Sequence, residues 1–434
     1  MGFFYAENLR RILSQGHQSD FRHFYAAAVA MSRGEDIYRS GTGGYVYPPF
    51  FAFCLLPIAG MSSAGAAACL LSITVPLMLV CVTVSAAVAN KRLSIDRCLD
   101  STPLIALLTA IVTFGRIKAE LGMLQTDVFV LAAYVLALRW INRKPIWAGT
   151  VLGLALNIKY YTLPALPYLL IRRRFAAANS MIVAAIAFAL LPALKLGWQN
   201  NLHDLHVAFA GVLHSVGVPD ASGQHARVHD VADTLSVSVT SGLARMLRLH
   251  PSVVIPMTLL VAAIACAITI IVYRRRGLPL FHWPAASHQR SEPYRRLLTF
   301  EWAAIMLATV MFSPDANMRH LVLVLVANAI AIKLVLSAPD IRMRWLAGAA
   351  LLIQILAFDS MRNLFGQRAA ARFEWLAGEG WSLLLFYVAV LVAFSSTASA
   401  ASEKPDTVRI DEISGELKVH LDRADHLVGS LPHT

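Results

Sequence analysis

Carboxylate, ammonium, guanidinium and imidazole side chains occur beside aromatic residues at a few points in a chain that is otherwise strongly apolar. In chain order, these polar residues and their neighbours are Asp20, Tyr25, Tyr47, Glu120, Gln125, Asp127, Lys159, Tyr160, Arg319 and His320. An ionisable group at membrane depth is energetically unfavourable unless it has a partner. Such groups therefore indicate where a membrane protein binds or transforms a polar substrate.

Lys159 and Arg319 are the cations that suggest an anion site. Lys159 interrupts an apolar stretch and is followed by Tyr160 and Tyr161. An ammonium group at such a break can hold a phosphate as a point charge. A lysine that extends to the lipid–water interface within an aromatic belt explains the same residues equally well. Arg319 follows a tight polar turn, where an anion could hold it on the outer face. The alternative is a capped turn with a single arginine that points outward.

The acidic residues also have two explanations each. Asp20 precedes an amphipathic, aromatic-rich segment, and aspartate is a preferred N-cap, so the residue type favours a helix cap for residues 21–32. Glu120 and Asp127 lie between two apolar segments, where an exposed loop would hold carboxylates freely. The residues alone leave a structural and a chemical interpretation open for both regions.

The polar segment at residues 197–251 is rich in histidine. His225 and His229 are four residues apart, which would suit a zinc site on a helix. Two histidines at this spacing are common by chance, and no further zinc-ligand signature accompanies them, so we expect no metal site. The sequence also contains no glycine-rich phosphate loop, which argues against direct use of ATP or a dinucleotide and predicts no cofactor.

Composition places the chain in a membrane. Hydrophobic residues make up 57% of the 434 residues and charged residues only 15%, whereas about a quarter of a soluble domain is charged. The apolar residues are clustered in stretches that can cross a bilayer, and in lipid such stretches should be helical because the backbone must satisfy its own hydrogen bonds. The sequence predicts an all-α polytopic membrane protein with about 11 transmembrane helices.

Short basic clusters between the apolar stretches predict the orientation. One of them is Arg172, Arg173 and Arg174. The pattern follows the positive-inside rule and accounts for the net charge of +12 without a nucleic-acid partner. It predicts an outer-face segment at residues 1–60 with the Asp20 loop and interfacial helices. A transmembrane domain at 61–396 with an outer loop at 197–251 follows, and then a cytoplasmic polar tail at 397–434.

The first 60 residues present a difficulty for this orientation. No earlier segment is long and apolar enough to carry them across the membrane. Either residues 47–60 cross as a short helix, which would leave Asp20 inside, or a helix that precedes Asp20 is missing from the sequence.

The order and spacing of these residues resemble glycosyltransferase family 87. That family includes polyprenyl-phosphate-mannose-dependent mannosyltransferases of the C-type superfamily. The resemblance covers residues 19–396, and Leu124 stands where the family has a glycine before Gln125. It rests on Ser19-Asp20-Phe21, Tyr25, Gly34, Tyr38, Tyr47-Pro48-Pro49, Leu56-Pro57, Gln125, Asp127, Gly149, Gly153, Ile158-Lys159, Leu163-Pro164, Arg172-Arg173-Arg174, Ser236, Gly242, Arg245, Ser313-Pro314 and His320.

The resemblance implies a C-type glycosyltransferase-like fold and a site on the outer face. Members of the family have a transmembrane helix before the loop that carries the aspartate. The resemblance therefore favours a missing N-terminal helix and an extracytoplasmic Asp20. The protein is expected to be a multi-pass protein of the cell inner (plasma) membrane.

The resemblance further implies a reaction. A hexose, mannose by analogy, would move from a polyprenyl-phosphate sugar to a hydroxyl of a lipid or glycan acceptor, with inversion and with Asp20 as general base. Lys159, Arg319 and His320 would bind the donor phosphate. The residues expected to line the substrate pocket are Tyr25, Tyr47, Gln125, Asp127 and Tyr160.

A transporter or flippase of lipid-linked or small polar substrates is the alternative function. It would also need polar groups within the membrane, but it should place them near the midplane and show inverted repeats. The sequence shows no convincing internal repeat, and the polar groups are predicted at one face. The residues therefore favour the enzyme.

Overall fold

The computed structural model describes residues 7, 10, 20–41, 44–93, 101–215, 218, 226, 230–248, 251–278, 292–338 and 340–402. Regular structure in this part of the chain is helical, without strands, and the only β-type pairing reported is an isolated bridge between Ser236 and Asn317. The prediction of an all-α protein is confirmed at this level.

The N-terminal helices form a compact group beside the bundle. They are α1 (Asp20–Arg33), α2 (Pro49–Cys54) and α3 (Leu56–Ala59). Apolar side chains recur in α1 at three- and four-residue spacing, so one face of the helix is buried, with Phe21, Phe24, Ala28 and Met31 on it. The helix predicted after Asp20 is thus confirmed.

Residues 47–60 do not form a membrane-crossing helix. At 1.5 Å per residue, α2 and α3 together extend about 16 Å, roughly half of a hydrocarbon core of about 30 Å. Phe50 and Phe51 are buried in the same apolar cluster as α1. The explanation in which this segment crosses as a short helix does not fit the structure.

The middle of the chain forms the first half of the helical bundle. Its helices are α4 (Ser63–Leu93), α5 (Thr102–Val112), α6 (Phe114–Met123), α7 (Asp127–Trp140), α8 (Pro145–Leu156), α9 (Ala165–Ile171), α10 (Phe175–Leu190), α11 (Ala193–Leu196) and α12 (Trp198–Ser215). A 3₁₀ turn, Tyr160–Thr162, separates α8 from α9. The predicted break at residues 157–161 is therefore confirmed.

The C-terminal part completes the bundle. Its helices are α13 (Val239–Leu247), α14 (Pro251–Arg275), α15 (Glu292–Phe312), α16 (Leu325–Ser337), α17 (Ile341–Ile355), α18 (Met361–Trp375) and α19 (Gly378–Ser402). A 3₁₀ segment, His320–Val324, leads into α16, and a π-helical turn, Leu356–Ser360, follows α17. Gly366 has a φ of 80°, which kinks α18.

Six of the described helical segments are long and apolar enough to cross a membrane. They are Ser63–Leu93, Phe175–Leu196, Val253–Arg275, His320–Ser337, Ile341–Phe358 and Gly378–Ser395. Shorter apolar helices, Thr102–Val112 and Pro145–Leu156, accompany them. A count of about 11 crossings stays a prediction.

The spanning segments differ in their position within the bundle. His320–Ser337 is the central one, because 83% of its 18 residues are buried inside the protein. Of the 18 most apolar consecutive residues of Val253–Arg275, only 17% are buried. The central segment begins at His320, so one of the predicted site residues lies at the start of the most buried spanning segment.

Two glycines allow α8 and α10 to pack closely. A Cβ at Gly149 would lie 2.0 Å from the carbonyl oxygen of Ala177, and one at Gly153 would lie 2.3 Å from that of Met181. Small residues at this spacing let helix backbones approach in a membrane. This contact sets the path of α8 and hence the position of Lys159 just beyond its end.

The basic helix ends meet at one end of the bundle. Arg92 at the end of α4 donates to the carbonyl oxygen of Leu138 (2.8 Å) and to the hydroxyl of Thr299 (3.1 Å). Arg174 donates to the side-chain oxygen of Asn142 (2.8 Å). The cluster of Arg172, Arg173 and Arg174 therefore lies beside the one that follows Asn142.

Candidate active site

A cavity of about 730 Å³ lies where α1, the segment after it, the α8–α9 break and the turn before α16 come together. Seven of the predicted site residues line it: Asp20, Tyr47, Gln125, Lys159, Tyr160, Arg319 and His320. Its other wall is largely apolar and includes Leu163, Pro164, Val212, Ala308 and Phe312. Residues separated by 300 positions in the chain thus share one space.

Lys159 is held at the centre of the polar wall. Its ammonium nitrogen lies 2.9 Å from Oδ1 of Asp127 and 2.6 Å from Nε2 of His320, and it faces the rings of Tyr47 and Tyr161 at 5.6 and 5.0 Å. Burial by itself would lower the pKa of this ammonium, but the Asp127 carboxylate outweighs that effect and raises it. The lysine is therefore charged.

His320 continues this hydrogen-bonded chain. Its Nδ1 lies 2.7 Å from the Tyr161 hydroxyl, which in turn lies 2.6 Å from the carbonyl oxygen of Asp315. A charged lysine must donate to Nε2, so the imidazole proton belongs on Nδ1 and points to Tyr161. The backbone N–H of Asn317 also approaches Nδ1 at 3.0 Å. For Nδ1 to accept this weaker hydrogen bond, the imidazole proton would have to lie on Nε2. An N–H would then face the ammonium of Lys159.

Asp127 and Glu120 form the acidic layer behind Lys159. Both side chains are fully buried, which contradicts the interpretation of this region as an exposed loop. Asp127 occupies the first turn of α7, where the helix dipole favours a carboxylate. Burial, together with the nearby Asp127 charge, raises the pKa of Glu120 well above its usual range. Glu120 therefore binds a proton more tightly than an exposed carboxyl group does, and Asp127 is the carboxylate in contact with the ammonium.

Asp20 and Arg319 form a second ion pair in the cavity. Asp20 occupies the first turn of α1, and Arg319 follows the turn before α16, where its Nε also approaches Oδ1 of Asn317 at 3.3 Å. Burial raises the pKa of Asp20, and this effect exceeds the opposing influence of Arg319 and Lys159. Asp20 is therefore more basic than an exposed carboxylate.

The other predicted pocket residues occupy different positions. Tyr47 lies beneath the Lys159 ammonium, and burial raises its pKa to about 12. Gln125 and Tyr160 also line the cavity. Asp127 reaches the cavity only through Lys159. Tyr25, predicted to line the pocket, is outside the residues that form the wall, because its hydroxyl turns away to the carbonyl oxygen of Met61 at 2.5 Å.

Tyr161 and His23 are among the cavity residues that were not predicted from the sequence. Tyr161 contacts both Lys159 and His320, whereas the sequence predicts its neighbour Tyr160 as a pocket residue. His23 lies three positions after Asp20, a spacing that places both on one helical face. A Cβ at Gly44 would lie 2.3 Å from the His23 ring, so glycine makes room for the imidazole there.

Three hydroxyl residues before and within α13 hold the turn that carries Arg319 and His320. Ser236 Oγ lies 3.2 Å from both the N–H and the carbonyl oxygen of Ala316. Ser241 donates to Ser236 Oγ (2.7 Å), and Thr240 donates to the carbonyl oxygen of Phe312 (3.0 Å). The backbone N–H of Val237 donates to Ala316 as well (2.6 Å). A segment of the predicted outer loop thus fixes the late turn of the site.

The histidine pair considered for zinc, His225 and His229, lies outside the described residues. Within the described ranges, no group of three or more His, Cys, Asp or Glu side chains is arranged to hold a metal ion.

Comparison with known proteins identifies the family to which this chain belongs. No curated protein and no solved structure matches the chain. A sequence model of glycosyltransferase family 87 matches residues 45–288, a range that contains Tyr47, Gln125, Asp127, Lys159 and Tyr160. Asp20, Tyr25, Arg319 and His320 lie beyond its limits. Because the match covers more than half of the 434 residues, this membrane protein belongs to glycosyltransferase family 87.

Proposed function

We propose that this protein moves a hexose, mannose in the first instance, from a polyprenyl-phosphate sugar to an acceptor hydroxyl of a lipid or glycan at the extracytoplasmic face of the plasma membrane. One observation carries the proposal. The Asp20 carboxylate, the Lys159 ammonium, the Arg319 guanidinium and the His320 imidazole line a single cavity in a member of a glycosyltransferase family.

Asp20 is the general base of this proposal. It reaches the cavity from α1, and burial raises its pKa, which makes it a better proton acceptor than a surface carboxylate. The acceptor oxygen forms a bond to the anomeric carbon while its proton moves to Asp20. The bond from that carbon to the phosphate oxygen breaks, and the electron pair leaves with the polyprenyl phosphate.

The cations stabilise the departing phosphate. An ammonium has three N–H donors, and Asp127 and His320 engage two of those of Lys159, which leaves the third for a ligand in the cavity. His320 fixes the direction of the ammonium. Preorganised donors of this kind act most strongly where charge develops in the transition state.

The reaction that we propose is a single displacement with inversion. A retaining enzyme needs a second carboxylate as nucleophile on the sugar. Asp127 is fully buried and held against Lys159, so it does not face the substrate. Two carboxylates, Asp20 and Asp315, line the cavity, and we assign the role of base to Asp20.

The apolar wall suits the lipid part of the donor. Leu163 is half exposed at the bundle surface and also lines the cavity, next to Pro164. A polyprenyl chain that lies along this side keeps its contact with the membrane while the phosphate reaches Lys159.

The test is sugar transfer by membranes supplied with radiolabelled polyprenyl-phosphate mannose and an acceptor fraction. Asp20→Asn keeps the shape of the side chain but removes the base, and we expect transfer to fall by about a hundred- to ten-thousandfold. Asp36→Asn is the matched control, because Asp36 lies in the same N-terminal segment and is exposed.

Equal transfer by Asp20→Asn and the wild type, at equal amounts of folded protein, would exclude Asp20 as the base. A transporter would instead move the labelled lipid between leaflets without forming a glycosylated product. The same membranes therefore separate the enzyme from the alternative function.

A further inference from the structure

In the empty cavity, each cation of the two ion pairs is already balanced by a carboxylate. Lys159 is balanced by Asp127, and Arg319 by Asp20. A phosphate that enters the cavity brings further negative charge. One of the two pairs must then open, or the phosphate must remain poorly compensated.

The Lys159–Asp127 pair is poorly suited to open. The Asp127 side chain is completely buried and that of Lys159 is 10% exposed. Separation would leave the carboxylate in a low-dielectric environment without its cation, which is strongly unfavourable. The contacts of Lys159 with His320 and the tyrosine rings hold the ammonium in the same place.

The Asp20–Arg319 pair has the opposite character. Its side chains are 24% and 25% exposed, and both line the cavity. The partners come from α1 and from the turn before α16, so one can move without the other. A guanidinium also matches the geometry of phosphate at least as well as that of a carboxylate.

We propose that Arg319 exchanges partners during the reaction, holding Asp20 while the cavity is empty and moving to the donor phosphate when the donor binds. This inference rests on the proposed function. The exchange frees the Asp20 carboxylate to face the acceptor hydroxyl. Donor binding thereby creates the base, so the donor must bind before Asp20 can activate an acceptor.

The exchange also matches the charges of the chemical step. When the sugar leaves, the bridging phosphate oxygen gains the electron pair, and Arg319 together with Lys159 faces the increased negative charge. Asp20 simultaneously becomes neutral as it receives the acceptor proton, so it no longer competes for Arg319. Loss of that proton to water after product release restores the Asp20–Arg319 pair.

The experiment measures binding of polyprenyl phosphate, which carries no sugar and cannot turn over, to the purified full chain in lipid nanodiscs. Asp20→Asn removes the competitor for Arg319, so we expect it to bind about tenfold more tightly than the wild type. Arg319→Gln should bind more weakly than the wild type. In the Arg319→Gln background, Asp20→Asn should produce no further tightening.

The double variant separates the exchange from simple charge repulsion. If Asp20 only repels the phosphate, Asp20→Asn tightens binding as much or more when Arg319 is replaced, and the exchange is overturned. Unchanged affinity in Asp20→Asn also overturns it. If Arg319→Gln does not fold, Arg319→Lys replaces it, and the effect of Asp20→Asn should then be smaller than in the wild type.

Failure of the proposed function would look different. In that case the wild type and Asp20→Asn would both bind polyprenyl phosphate no better than a lipid without the phosphate group. Specific binding in the wild type without the predicted dependence on Arg319 would overturn the exchange alone.

Discussion

The ion pairs of the cavity can be compared with the pair between Arg172 and Glu301, which is also largely buried. Glu301 accepts from Arg172 Nε (3.0 Å) and from the Tyr168 hydroxyl (2.8 Å), and Tyr273 adds a further hydrogen bond. Glu301 precedes Ala308, the first cavity residue of α15, by seven positions, which corresponds to about 10 Å along the helix.

The difference between the two regions lies in the space beside them. The Arg172–Glu301 pair is enclosed by protein donors, and neither residue is among those that line the cavity. The cavity pairs face a space of about 730 Å³ with an apolar wall. We therefore expect that buried charge in this protein is not a sign of function by itself. The combination of charge with an accessible space is what distinguishes the candidate site.

Replacement of both residues of an ion pair at once should give the largest difference in transfer rate between the two regions. In the double variant Lys159→Gln/Asp127→Asn, no buried charge is left uncompensated, so the fold should persist. Without its ammonium, however, the site should lose about a thousandfold in transfer rate. The matched control is Arg172→Gln/Glu301→Gln, which should keep its activity.

Transfer rates of both double variants, normalised to the monodisperse protein in gel filtration, decide this comparison. Comparable losses of activity in the two variants would mean that the cavity pair has no special role. Retained activity in the Lys159→Gln/Asp127→Asn variant would remove Lys159 from the mechanism.

Breaking the enclosed pair on one side should affect stability and not chemistry. Arg172→Gln leaves Glu301 buried without its cation, which should reduce the free energy of unfolding by about 3–5 kcal/mol. The yield and the thermal unfolding midpoint should fall, while the transfer rate per folded molecule stays near that of the wild type. A lower rate in the folded fraction would connect this end of the bundle to the reaction.

Local patterns in the sequence predicted much of the scaffold and several site residues. The break that contains Lys159 was recognisable because polar and aromatic residues interrupt an apolar stretch. The pairing of Asp20 with Arg319 was not, because 299 positions separate the two residues and side-chain partners at that distance depend on packing. The hydrogen bonds by which Ser236 and Ser241 hold the turn before α16 were not predicted either, because short hydroxyl side chains form no distinctive pattern in a sequence.

Leu124 shows how the structure explains a departure from the family pattern. Its φ and ψ are both 51°, the left-handed conformation in which glycine is favoured and other residues are strained by about 1–2 kcal/mol. The side chain of Leu124 is buried with the apolar cluster of α1 and α2, which offsets this strain. The backbone conformation at position 124 is one that glycine adopts without this strain.

Asp204 extends the comparison to a buried carboxyl group that has no ion-pair partner within the described part of the chain. Burial, with a smaller effect of Asp36, raises its pKa to about 7. Its unfolded-state pKa should be about 4, so the folded state binds the proton more tightly. The contribution of this group to stability is therefore most favourable at acidic pH and is lost as the pH rises from about 4 to 7.

Asp204→Asn should remove this pH dependence. The hydrogen bond from Tyr38 goes to the backbone carbonyl of residue 204, so the substitution leaves it intact. We expect the thermal unfolding midpoint to rise by a few degrees at pH 8 and to change little at pH 5, when both proteins are measured in the same detergent. An equal shift at both pH values would show that Asp204 is ionised throughout. In that case, groups other than a direct ion-pair partner would stabilise the ionised form of a buried carboxyl group in this protein.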